Sequence, residues 1–260
     1  MSAAGVALAA TGAIVAQSAT ATTLPAAKTY TGRAFDTCTA PSLSAMKAWK
    51  TGFYGAAAVY VGGKNRGCAQ PNLTASWVKS VSTAGWKLIP LYVGAQPPCQ
   101  SGANPEKMTA STAASLGAKD GADAVTKAAA LGMKAGSALY LDMEAYDTAN
   151  TSCNNAVLTY VRAWDKAVHA KSYRTGFYGF RSSSAKAVAT ATNRTDMPDV
   201  LWYALWDKVN TTTTDWPFAS TLYTGHRRAH QYMVNSKESR GGYTITVDRD
   251  AWDAPVAIVG

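Results

Sequence analysis

Three short stretches place carboxylates at spacings suited to proton transfer: FDTC with Asp36, LYLDMEAY with Asp142 and Glu144, and TITVDRDAW with Asp248. Each acid sits in or just after a run of apolar, β-branched and aromatic residues that reads as a strand. Residues two apart on a strand project from one face, which sends Asp142 and Glu144 the same way. Carboxylates converging on one opening repel each other, so at least one keeps its proton near neutral pH. An acid held in that state can protonate a glycosidic oxygen, while a second stabilises an oxocarbenium-like transition state. A lone Asp-x-Glu is common, an Asp at a strand end often caps the next turn, and Arg33 or Arg249 could pair with any one of these acids. The weight lies on three separate strands ending in acids at the same expected edge.

Aromatic residues gather near that edge: Tyr60, Tyr92, Tyr146, Tyr178, Trp202, Trp206 and Tyr232. Sugars present apolar C–H faces to such rings, although several of these rings would equally serve as core. Trp202 and Tyr232 are the expected sugar contacts, with Tyr146 and Tyr178 beside them. The four cysteines, Cys38, Cys68, Cys99 and Cys153, follow the first four strands. An even number suggests two disulfides, for which three pairings exist. Neighbouring strand ends favour Cys38–Cys68 and Cys99–Cys153, because a bridge needs close Cα atoms. Neither these cysteines nor the three histidines show metal-ligand spacing. No metal and no cofactor is expected.

The elements that must position these residues alternate. Strands are expected at 33–37, 56–62, 86–93, 137–144, 173–180, 200–206, 229–234 and 243–247. Helices are expected at 42–51, 73–84, 112–131, 154–171 and 182–192, with Ser42 placed to cap the first. Regular β-then-α order argues for a parallel sheet. Eight such units over 28–260 match a single-domain α/β fold, a (β/α)8 TIM-type barrel, whose chemistry sits where the strands end. Closure would bring the first and eighth strands together and make Asp36 and Asp248 neighbours. An open doubly wound sheet is the alternative, but no Gly-rich phosphate loop follows the first strand.

The first 27 residues carry no Asp, Glu, Lys or Arg, and Ala19-Thr20-Ala21 offers a signal-peptidase pattern. Residues 1–27 therefore read as a signal peptide, although no basic residue precedes the apolar run. With the cysteines, this points to a secreted, extracellular or cell-wall-associated protein with no integral membrane segment. The net charge of +9 suits anionic polymers, or is simply scattered over the surface. No dense basic stripe interleaved with aromatics points to nucleic acid.

The order FDTC, LYLDMEAY, FYG, LWYALW, HQYM and TVDRD resembles the glycoside hydrolase family 25 muramidases. It is more similar still to an actinobacterial secreted glycoside-hydrolase-like domain of unknown function related to them. The most specific pieces are FDTC, NRGCAQPNLT, DMEAY and VDRD, and the likeness spans about residues 30–255. The resemblance implies a hydrolase acting on peptidoglycan, with Glu144 as general acid. Asp142 would stabilise the cationic intermediate or position an N-acetyl group, and Asp36 and Asp248 would complete the acidic ring. The four-cysteine pattern is that of the glycoside-hydrolase-like group, in which an acidic cleft is kept without an assured activity. The expected partner is thus a polysaccharide of the cell wall, met by a monomer. A non-catalytic glycan-binding module on the same barrel is the alternative reading.

Overall fold

The structure, a computed structural model, describes Met1 and residues 24–260. Most of the expected leader, including Ala19-Thr20-Ala21, lies outside the described residues. The chain runs β1 (Thr29–Asp36), α1 (Leu43–Trp49), β2 (Tyr54–Gly62), α2 (Ala75–Thr83), β3 (Lys87–Val93), α3 (Ala113–Ala130), β4 (Ala138–Met143), α4 (Thr151–His169), β5 (Arg174–Phe180), α5 (Ser184–Thr190), β6 (Val200–Ala204), β7 (Arg228–Arg240) and β8 (Tyr243–Pro255). The strands close into an eight-stranded barrel in sequence order, as the alternation predicts. Local chemistry starts the helices: Ser42, Thr74 and Asn150 each accept a backbone N–H of the first turn through a side-chain oxygen.

Period-2 alternation divides the side chains of each strand between two environments. Those facing the lumen include Ala34, Ala56, Ala58, Leu91, Tyr140, Tyr178, Trp202 and Trp252. Those facing outward, among them Phe35, Val59, Leu139 and Phe177, pack under the helices. The middle of the lumen is an aromatic plug, with Trp202 centred 4.7 Å from Tyr178, 5.1 Å from Trp252 and 6.1 Å from Tyr140. Gly176 makes room for it, since a Cβ there would run into the Tyr140 ring.

One expectation is corrected. The sheet is not parallel throughout: β8 runs antiparallel to both β7 and β1. Gly241 and Gly242, both at positive φ, turn β7 directly into β8 as a hairpin, which leaves no crossover helix. The hairpin itself then covers the outside of the barrel beside α1. Glu238 pins it there by accepting hydrogen bonds from Tyr54 O–H (2.8 Å), Arg249 Nε–H (2.8 Å) and Arg240 Nη2–H (2.7 Å).

Both favoured disulfides form, Cys38–Cys68 with Cα atoms 5.7 Å apart and Cys99–Cys153 with 5.9 Å. The second closes a separation of 54 residues and ties the loop after β3 to the start of α4. Replacing Cys99 and Cys153 by alanine should cost about 2–4 kcal/mol in urea denaturation. An unchanged midpoint would show that other contacts hold that loop.

Candidate active site

The barrel gathers the acids from three strands. Asp36 ends β1 and lies directly opposite Asp248 of β8 in the ladder, and Ala34 lies opposite Asp250. Asp142 lies on β4, and Glu144 follows just beyond it. Two adjoining hollows open here. One, about 250 Å³, is lined by Asp142, Glu144, Tyr60, Asn65, Gln96 and Cys38, among others. The other, about 580 Å³, is lined by Asp36, Asp248, Tyr60, Asn235 and Cys38, among others. Tyr60 and the Cys38–Cys68 bridge therefore stand between them. All four acids act on the Tyr60 hydroxyl and, after burial, help to hold its pKa well above the ordinary value.

A polar frame holds the carboxylates. Gln96 clamps the end of β4: its Nε2 donates to the Asp142 carbonyl (3.1 Å) and its Oε1 accepts from the Glu144 N–H (3.0 Å). Gln231 of β7 donates to Asp36 Oδ2 (2.9 Å) and accepts from Tyr178 O–H (2.9 Å) and Trp206 Nε1–H (3.0 Å). The Asn235 N–H donates to Asp248 Oδ1 at 2.6 Å. One layer deeper, Asp250 Oδ1 accepts from Trp202 Nε1–H at 2.9 Å.

Burial and mutual repulsion both keep protons on this ring. Asp36 is pushed up to about 7, by burial first and by Asp248 second, against the opposing hydrogen bonds from Gln231 and Asp250. Burial, then Glu144 and Asp36, drives Asp142 well above the usual carboxylate range. Burial also raises Glu144 and Asp248. Asp250 is driven well above by burial and by the charges of Asp36 and Asp248. Its Oδ2 finds no N–H or O–H donor, so a proton shared with Asp36 makes that pair compatible. Asp142 Oδ1 is likewise buried without a partner.

Not every expected residue reaches the mouth. Asp36, Asp142, Glu144 and Asp248 line the hollows, and Tyr178 lies just beneath them on Gln231. Trp202 does not reach them: it is wholly buried in the plug, where its mid-strand position points it into the lumen below the acids. Tyr232 is buried beside His230 and near Arg249 and Arg33, and lines neither hollow. Tyr146 is tied to α4 and the start of α5 through Asn154 (2.8 Å) and Ser183 (2.8 Å). Trp206 is an exposed ring beside the site, 52% accessible, packed edge-on against Phe180 and anchored to Gln231, and it too lines neither hollow. Asp250, Gln231 and Gln96 were not read from the sequence. Asp250 lies two residues from Asp248, and the same period-2 rule that joins Asp142 and Glu144 would have found it.

Trp202→Ala should cost about 3–5 kcal/mol of stability, because it opens the plug and strips Asp250 of its donor. Thermal unfolding checks this. Unchanged stability with weakened sugar binding would instead put the ring at the ligand.

The family described as Rv2525c-like, glycoside hydrolase-like domain matches residues 47–252, a span that holds Asp142, Glu144, Asp248 and Asp250. No curated protein sequence matches significantly. Among solved structures, an uncharacterized protein from B. stearothermophilus superposes with a TM-score of 0.58 at 17% identity, over 85% of this chain and 95% of that one. The spore cortex lytic enzyme SleM of Clostridium perfringens gives 0.56 at 12% identity, over 86% and 67%. A family 25 glycosyl hydrolase from Bacillus anthracis gives 0.50 at 10% identity, over 86% and 89%. Identities this low establish a shared barrel.

Proposed function

The chain belongs to the Rv2525c-like, glycoside hydrolase-like domain family, and from that premise we propose that it cleaves glycosidic bonds in a cell-wall glycan of the peptidoglycan type, outside the cell. The observation that carries this reading is the convergence of Asp36, Asp142, Glu144 and Asp248 from three strands on two hollows that meet at Tyr60. Glu144 is the proton donor. It is only partly buried, it lines the hollow, and its pKa is raised. Asp142, which lines the same hollow and keeps its proton, positions the substrate by accepting an N–H through the carbonyl oxygen of its carboxyl group. Asp36 and Asp248 bound the neighbouring subsite. Trp206 supplies the apolar platform for a sugar face. The two disulfides suit an oxidising, extracellular setting. The spore-cortex-lytic and family 25 neighbours make peptidoglycan the first substrate to try.

The test is release of reducing ends from purified peptidoglycan. Trp206→Ala should raise KM by about three- to tenfold with little change in kcat, the loss expected for one stacked ring. An intact protein that sediments with the glycan but never cuts it would be a binding module. One that does neither ends both readings.

A further inference from the structure

Behind the acidic hollows, on the flank of the barrel, a separate cavity of about 610 Å³ is formed by the ends of β2 and β3 and by α3. Its walls carry four cations, Lys64, Arg66, Lys119 and Lys127, against two carboxylates, Asp120 and Asp123. Both carboxylates are engaged inside the fold. Asp120 Oδ2 accepts from Tyr160 O–H (2.5 Å) and Ala95 N–H (3.0 Å), and Asp123 Oδ2 accepts from Tyr92 O–H (2.9 Å). Lys64 pairs with Glu106. Among the described residues, Arg66, Lys119 and Lys127 make no ion pair.

The two cavities lie back to back on one loop: Lys64 and Arg66 line the basic one, while Asn65 and Gly67 line the acidic one. On α3, Lys119 and Lys127 are eight residues apart and so share one helix face. Cations brought together around a concave surface repel one another until an anion joins them. A guanidinium fork with several ammonium groups matches the oxygens of a phosphate better than the two oxygens of a single carboxylate. The volume is that of a small-molecule site, with room for a polyol or sugar attached to the phosphate.

The geometry points to a second ligand site on this flank, one that takes a phosphate group carried on a polyol or carbohydrate. It stands whether or not the barrel mouth cleaves glycan.

Calorimetric titration of the full chain at low salt would use inorganic pyrophosphate and poly(glycerol phosphate), with polyglutamate as competitor. Saturable binding of either phosphate probe is expected. It should weaken at least about tenfold in Lys119→Glu/Lys127→Glu and fall steeply with added salt. Glu144→Gln should bind as the unaltered chain does, which separates this site from the hydrolase reading. Tighter binding of the polymer than of pyrophosphate is the expected order, and equal or tighter binding of pyrophosphate would overturn the polyol or carbohydrate part of the assignment. Both substituted lysines are exposed, and Lys119→Gln/Lys127→Gln repeats the test should the reversed charges perturb α3. No binding, binding indifferent to both double variants, or equal competition by polyglutamate would overturn the assignment.

Discussion

Glu144→Gln should lower the rate of reducing-end release from purified peptidoglycan by about a thousandfold, within the range set by loss of a general acid. Glycan affinity should change by less than about threefold, since shape and burial are kept. The Glu144 N–H is held by Gln96, and that bond does not involve the substituted side chain, so the loop after β4 should stay in place. The proton explains the size of the effect. Burial lifts Glu144 above its ordinary pKa, which lets it arrive at the glycosidic oxygen still protonated. For the same reason, activity of the unaltered chain should decline as pH rises through that raised pKa, as the donor loses its proton. A Glu144→Gln protein that keeps more than about a tenth of the rate would move the acid role elsewhere, and Asp142, which holds its proton more firmly, would be the next residue to replace.

Asp36→Asn should stabilise the fold at alkaline pH while impairing the site. In the unfolded chain Asp36 titrates near its ordinary value of 3.8, whereas in the barrel it holds its proton to about 7. The stability linked to that proton is fully present below about 4 and is lost as pH rises through about 7. The whole effect is of order 4 kcal/mol at roughly 1.4 kcal/mol per pH unit. An asparagine carries no such burden and can still accept from Gln231. Urea midpoints of the two proteins should therefore coincide near pH 4 and diverge by pH 8, with the variant the more stable. A difference independent of pH would mean that Asp36 is ionised throughout. Repulsion from Asp248 is the second contributor to the shift, so Asp248→Asn should narrow the divergence.

Much of this site is legible in the sequence, and what is legible is local. Two-residue spacing puts Asp142 and Glu144 on one side of β4 whatever the barrel does. Alternating strand and helix patterns give the order of elements, and cysteines just after successive strands fall close enough to bridge. These properties depend on neighbours in the chain, which the sequence states directly.

Depth and direction are decided otherwise. Asp248 reaches the mouth because β8 descends from it antiparallel to β1, the reverse of the direction that alternation alone suggested. The Gly241-Gly242 pair was the one local sign of that reversal. The same descent sends Asp250 a layer below, against Trp202. Trp202 and Trp206 stand four residues apart in LWYALW, yet one fills the lumen and the other meets solvent. Which of them does so is set by how far β6 extends before the barrel ends. A strand's pattern specifies the face of a side chain, but its height in a closed barrel follows from register with seven other strands, and that arises only when the sheet closes.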